Sequence, residues 1–342
     1  MKYMSSVSGS SHRLKPSKKM SDKRTVLTIA TGKKLYTDMA VNLARSFFWW
    51  HPDTDIEFHI VTDKPELFPE DVTLIAKIII VQPGELGEGF SPKLHLDKLC
   101  GEGQTLFIDS DCLIFGKLDF IFERFKGHKV SVVGGYISDG DWFGDIGHIC
   151  SQFKVPHLPK FNGGIYYLEK GVEATAVYEK ARSLEKTYDE IGFVRLRNRP
   201  NDEVLMALAM QLHNQKPIPD DGTIMSDPQA CPGGYYIDVI KGDRRLINPP
   251  PPHPKHQAWY PFEKVSPVVF HFLGYYTHHY PYMREAYRLE KATFKKLNWG
   301  TELFGLMSIE YTSRIIEFTK NTFRPAYHKL FGHRKVKVSN RV

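Results

Sequence analysis

The chain has 342 residues, 42% hydrophobic and 25% charged, which is an ordinary composition for a globular protein with room for a large core. Its formal charge of +7 belongs to its ends: residues 1–24 carry +6 and residues 314–342 carry +7, which leaves the body at −6 and, without any RRM, zinc-finger or helix-turn-helix pattern, argues against nucleic acid as a partner. No run reaches the ~18 apolar residues of a membrane span, no signal-peptide pattern opens the chain, and Cys100, Cys112, Cys150 and Cys231 lack the spacing of a zinc site or disulfide framework; a cytoplasmic protein with buried cysteines is expected.

Residues 1–24, rich in Ser and Lys, read as a disordered basic tail. From there Thr25–Ala30 reads as a strand, followed by Thr31-Gly32 and a helix carrying Met39, Leu43, Phe47 and Phe48. Ile56–Thr62 and Val72–Val81 read as strands, Lys93–Leu99 as a short helix and Thr105–Ile108 as a buried strand. Beyond it the pattern predicts strands at Lys129–Val133, Gly164–Leu168, Tyr235–Ile240 and Val268–Phe272, with helices at Glu173–Leu184 and Asp202–Leu212. Strands alternating with helices imply an α/β domain over residues 25–300, its mixed sheet mostly parallel and covered on both faces. The proline run at 249–252 must be a stiff loop.

The chemistry-bearing segment is Gly103–Phe115, GQTLFIDSDCLIF, where a buried strand ends in Asp109-Ser110-Asp111. Two carboxylates at the C-terminal rim of a parallel strand suit a hard divalent cation that also takes substrate phosphates. Asp53-Thr54-Asp55 and Asp139-Gly140-Asp141 share the spacing, but the first sits in a turn after His51-Pro52 and the second in the polar loop YISDGDWFGD. Elsewhere, Tyr36 offers a flat face at a strand-to-helix turn whose N–H groups could meet an anion. Lys93 sits at a predicted helix start, a place the macrodipole disfavours for a cation. Asn162 beside Gly163 and Gly164 has donor and acceptor groups where a ligand could approach the backbone. Asn201-Asp202-Glu203 has the form of an N-cap with acids in the first turn, and a lone histidine such as His271 at the last strand is by itself more often a satisfied core residue.

Five segments taken together resemble the nucleotide-sugar glycosyltransferases of the GT-A fold, and most closely glycosyltransferase family 8, over about Thr25 to Gly274. They are Ala30-Thr31-Gly32-Lys33-Lys34-Leu35-Tyr36, Phe90–His95 with Asp109-Ser110-Asp111, Phe161-Asn162-Gly163-Gly164-Ile165, Asn201-Asp202-Glu203 and Val269–Gly274. The resemblance implies a GT-A, Rossmann-like fold and metal-assisted sugar transfer with retention of configuration. Asp109, Asp111 and His271 would hold Mn²⁺ or Mg²⁺. Ala30, Thr31, Tyr36, Lys93, Asp109, Ser110, Gly163 and Gly274 would line a nucleotide-sugar donor, with UDP as its nucleotide. Asn162, Asp202 and Glu203 would surround the reacting sugar, and a glycan, lipid-linked or protein acceptor would complete the reaction. Two positions depart from the family pattern: Glu203 replaces its glutamine, and Thr277 replaces its phosphate-binding lysine, for which His278, His279 or one of Arg195, Arg197 and Arg199 could substitute. These departures keep open a sugar-nucleotide-binding protein without turnover; a nucleotidyltransferase on the same fold fits less well, because no Gly-rich basic loop follows the first strand.

Residues 301–342 form the last region. Leu306, Ile309, Ile315, Ile316, Phe318, Phe323, Leu330 and Phe331 alternate with Arg314, Lys320, Arg324 and Lys329. This basic amphipathic extension is expected to lie on the anionic inner face of a membrane, or else to close the domain core.

Overall fold

The computed structural model describes residues 23–332. The tail expected over 1–24 lies outside the described residues up to 22, and Arg24 already belongs to the domain, pairing with Asp55 at 2.7 Å and Asp119 at 2.8 Å. The first half alternates as anticipated: β1 (Arg24–Ile29), α1 (Lys34–Trp50), β2 (Ile56–Thr62), α2 (Glu70–Thr73), β3 (Lys77–Ile80), α3 (Leu96–Leu99) and β4 (Gln104–Ile108). β1 pairs in parallel with β2 and β4, and β2 with β3.

The second half is β5 (Cys112–Ile114), α4 (Asp119–Phe125), β6 (Val130–Ser131), β7 (Val133–Ile137), α5 (Ile146–Phe153), β8 (Leu158–Phe161), β9 (Ile165–Glu169), α6 (Val172–Glu185), α7 (Tyr188–Ile191) and α8 (Asp202–Leu212). β10 (Ile218–Pro219), β11 (Met225–Ser226), β12 (Gly234–Asp238), β13 (Asp243–Ile247), β14 (Lys264–Val265), β15 (Val269–His271), α9 (Tyr280–Thr293), α10 (Trp299–Gly305) and α11 (Thr312–Phe331) follow. The central sheet runs β3-β2-β1-β4-β9-β6, with β9 antiparallel to both neighbours.

Period-2 alternation divides the core. Leu27 and Phe107 point to the layer of α6 and α8, while Val26, Leu106 and Ile108 point to that of α1 and α4. Both faces are therefore dry, and β4 is buried at every position. Truncating a ring such as Phe107 to Ala would cost about 3–5 kcal/mol.

Two sequence expectations need correction. Val72 belongs to α2, not to a strand from 72 to 81: Pro69 precedes the turn, Glu70 and Asp71 suit its positive end, and Leu74 and Ile75 stay exposed. Lys93–Leu99 is not one helix; a 3₁₀ turn at Ser91–His95 precedes α3.

Candidate active site

Strand register assembles the site. β4 and β9 pair so that Ile108 faces Ile165, and Asp109 N–H continues the ladder to the Gly164 carbonyl at 3.0 Å. Asn162-Gly163-Gly164 is thereby carried opposite Asp109. β5 and β15 pair with Cys112 opposite His271, and Phe272 N–H donates to the Asp111 carbonyl at 3.0 Å. β11 runs parallel to β15 with Ser226 opposite Phe270, which brings Asp227 to the level of His271.

His271 Nε2 lies 3.1 Å from Asp111 Oδ1 and 3.8 Å from Asp109 Oδ2, while its Nδ1 is 2.8 Å from Asn162 Oδ1. Burial alone would lower the imidazole's pKa, but Asp111 and Asp109 outweigh it and push it up to about 9. Burial raises the Asp109 carboxyl, against the pull of Lys93, whereas at Asp111 the burial is overcome by His271 and the carboxyl is held below its ordinary value. Lys93 is not a free cation at a helix start. Its Nζ donates to Asp109 Oδ2 at 2.7 Å and the Gly163 carbonyl at 2.9 Å, and sits 3.6 Å from Asp202 Oδ2.

α8 delivers the other acids. Asn201 caps it by accepting from Glu203 N–H at 2.8 Å, which aims the first turn at the glycines. Glu203 Oε1 accepts from Gly163 N–H at 2.7 Å, and Asp202 Oδ2 accepts from the Tyr166 hydroxyl at 2.5 Å. Burial first, then Asp202, raises Glu203 to about 7. Space requires Gly164, where a Cβ would stand 2.6 Å from His271 Nδ1, while one on Gly163 would press on Asp202 Oδ2 at 3.1 Å.

The remaining predicted positions fall into two groups. Near the cluster, Ser110 is buried in the turn between the two aspartates and Gly274, at φ 61°, gives Asp111 a backbone hydrogen bond. Tyr36, in the first turn of α1, is raised by burial and then by Asp111, with Arg197 acting in the opposite sense. Ala30 and Thr31 follow β1, but their turn does not present a row of open donors: Gly32 N–H is bound to Asp63 and Lys33 N–H to the Thr31 carbonyl. Thr277 spends its hydroxyl on the Gly274 carbonyl at 2.5 Å. Among its suggested substitutes, His279 pairs with Glu317, Arg195 with Asp189 and Arg199 with Glu88. Asp227 and Tyr166 escaped sequence reasoning. Asp-Pro at 227–228 reads as a turn, and only the β11–β15 pairing aims it at Asn162.

Five acids (Asp109, Asp111, Asp202, Glu203, Asp227) thus share a small volume with Lys93 and the imidazole of His271. That excess and an oxygen–imidazole donor set fit a hard divalent cation. Asp111, Cys112 and His271 each place a ligand atom within 4.8 Å of the others, and Asp109, tied to Lys93, is outside that set. Burial pushes the Cys112 thiol well up, so it stays a neutral, poor ligand. A separate cavity of about 740 Å³ between β12–β13 and α9 touches none of these carboxylates.

No protein-family profile matches the chain, and no curated protein matches it in sequence. Among solved structures it is similar to the galactosyltransferase LgtC in complex with donor and acceptor sugar analogues, at TM-score 0.51 and 13% identity, over 79% of this chain and 95% of that one. Mouse xyloside xylosyltransferase 1 aligns over 73% of this chain and 98% of its own, at TM-score 0.44 and 13% identity. The parallel half-sheet, its antiparallel continuation through β9 and the likeness to LgtC identify the architecture: the chain has the GT-A fold of glycosyltransferases.

Proposed function

We propose that the protein transfers a sugar from a nucleotide-sugar donor, with UDP as the nucleotide, to a glycan or lipid-linked acceptor, with retention and with Mn²⁺ or Mg²⁺. The observation that carries this reading is the acid-rich cluster around Asp111 and His271 at the C-terminal rim of the parallel strands, where open α/β sheets bind ligands. Asp109, Asp111 and His271 would hold the cation. Once bound, it neutralises charge growing on the departing nucleoside diphosphate.

The protein's own groups do the rest. Tyr36, in the first turn of α1, gives the nucleobase a flat face, and Ala30, Thr31 and Ser110 line the donor's path. Lys93 binds Asp109 and the Gly163 carbonyl and stands 3.6 Å from Asp202, so it holds the two acids and the glycine turn in place. Glu203, its carboxyl raised to about 7 by burial, stands with Asp202 and Asn162 around the reacting carbon and stabilises positive charge there. α11 carries no buried side chain, and its exposed apolar residues beside Arg314, Lys320, Arg324 and Lys329 suit an anionic bilayer surface. Among the described residues no helix is long and apolar enough to cross a membrane.

The test is nucleoside diphosphate release from UDP-, GDP- and CMP-sugars, with Mn²⁺ or with EDTA. Release from one UDP-sugar is expected, lost with EDTA and reduced about 10³-fold by Asp111→Asn, the equivalent of several kcal/mol of charge stabilisation. Tight UDP binding with no release from any donor, even with cell-extract acceptors, would leave a binding protein instead.

A further inference from the structure

Asp227 belongs to no motif, yet it is 7% exposed and every hydrogen bond it makes is to a donor. Its Oδ1 accepts the backbone N–H groups of Gln229 at 2.7 Å and Ala230 at 2.9 Å. Its Oδ2 accepts from Asn162 Nδ2 at 3.0 Å. Asn162 Oδ1 then accepts Gly164 N–H at 2.9 Å and faces His271 Nδ1 at 2.8 Å.

Each link has one allowed polarity. A carboxylate cannot donate, so Asn162 must turn its NH₂ toward Asp227 and its carbonyl toward His271. The Gly164 N–H enforces the same orientation, because a flipped amide would set donor against donor. Facing a carbonyl oxygen, Nδ1 must carry a hydrogen, which leaves Nε2 as the nitrogen aimed at Asp111 and Asp109.

We infer that Asp227 is a positioning residue: through Asn162 it fixes His271 in the Nδ1–H form, with Nε2 free to ligate a divalent cation. The inference rests on the proposed cation site. Outer partners of this kind are worth about 10–100-fold in metal affinity.

The effect is measurable without turnover, by titrating the full chain with Mn²⁺ and following unbound Mn²⁺ by EPR. Asp227→Asn keeps the shape and one acceptor for Gln229 and Ala230, but points an NH₂ at the NH₂ of Asn162. It is expected to weaken Mn²⁺ binding 10–100-fold. The double variant Asn162→Asp/Asp227→Asn exchanges donor and acceptor along the link while still presenting an oxygen to His271 and Gly164, so it should return to within about threefold of wild type. A single variant within threefold of wild type, or a double variant no better than the single, overturns the inference while leaving the cation site standing. Wild type that binds no Mn²⁺ overturns the cation site and this inference with it. Should Asp227→Asn fail to fold, ¹⁵N-histidine spectra of wild type with Mg²⁺ decide the matter: a protonated Nδ1 on His271 supports it, and a protonated Nε2 sinks it.

Discussion

The rim around His271 and the arm formed by α10 and α11 invert the usual distribution of polar and apolar groups in opposite ways. At the rim, Asp202, Asp227 and His271 are 2%, 7% and 6% exposed, where a globular core would be apolar. Along the arm, Trp299, Phe304, Phe318, Phe323, Leu330 and Phe331 are each more than 60% exposed, where a surface would be polar. The rim is affordable because every buried acid has a donor: Tyr166 for Asp202, Asn162 for Asp227, Gly163 for Glu203. Among the described residues nothing covers these arm side chains in a comparable way. One region is finished in itself and the other is shaped for something outside it.

What ties them is α9. Arg288 Nη1 reaches Asp238 at 2.8 Å and Glu285 at 3.1 Å, and Nη2 reaches Glu302 of α10 at 3.0 Å. Arg284 adds Glu310 at 3.4 Å, and His279, just past the Gly274 turn, adds Glu317 of α11 at 3.3 Å. Arg288→Ala would strand buried carboxylates and should cost about 3–5 kcal/mol in urea unfolding, the largest effect expected here. A loss below 1 kcal/mol would mean that the arm is not clamped through this residue.

Within the rim, space is the tighter constraint. Gly164→Ala would drive a methyl to 2.6 Å from His271 Nδ1 and 2.8 Å from Met225 Sδ, and a displacement of that size should lower nucleoside diphosphate release about 100-fold. Gly135→Ala on β7 is the control, with nothing within 4 Å of the new Cβ. Equal activity of the two would show that His271 can move without consequence.

Charge in the rim is expected to appear in the pH dependence of stability. The Glu203 carboxyl is raised by burial to about 7 in the folded chain, from an ordinary value near 4.5. The folded state holds its proton more tightly, so the contribution is fully present below pH 4.5 and is lost as pH rises through 7. The loss is at most about 3 kcal/mol, at about 1.36 kcal/mol for each pH unit between the two values. Glu203→Gln, which keeps the acceptor for Gly163 N–H, should flatten the unfolding free energy between pH 5 and 8 by that amount. An unchanged slope would assign the dependence to another buried acid, such as Glu285.

The sequence exposed the rim's donors unevenly, for physical reasons. Asp109 and Asp111 follow the five buried residues of β4, Asn162 precedes the predicted strand at 164–168 and His271 lies in the predicted strand at 268–272, and the structure brings the four together. Asp227 follows a strand of two residues, Met225–Ser226, whose only information is its pairing partner. Lys93 reads only as a cation at a disfavoured helix start because no sequence pattern reveals that Asp109 and Asp202 converge on it. The overlong strand at 72–81 arose because Val72, Thr73 and Ile75 are β-formers in a stretch that Pro69 and two acids had already committed to a helical turn. Periodicity reports single elements; the rim is a property of their register.

The arm yields the smallest effect and the cleanest one. Ile316, Phe323, Tyr327 and Leu330 fall at i, i+7, i+11 and i+14 on α11, one stripe of the helix, and all are exposed. Phe323→Ser and Leu330→Ser together should change unfolding by no more than about 0.5 kcal/mol, since neither side chain touches the core. Binding to vesicles rich in anionic phospholipid should nevertheless fall about 10-fold or more, because each side chain forfeits roughly 1 kcal/mol of apolar burial in the interface. Lys320→Gln with Arg324→Gln should weaken the same binding by about 1 kcal/mol per charge, and only on anionic vesicles. Vesicle binding indifferent to both pairs would remove the bilayer as the arm's partner, whereas a loss of stability in the serine pair would show that the stripe already packs against the domain.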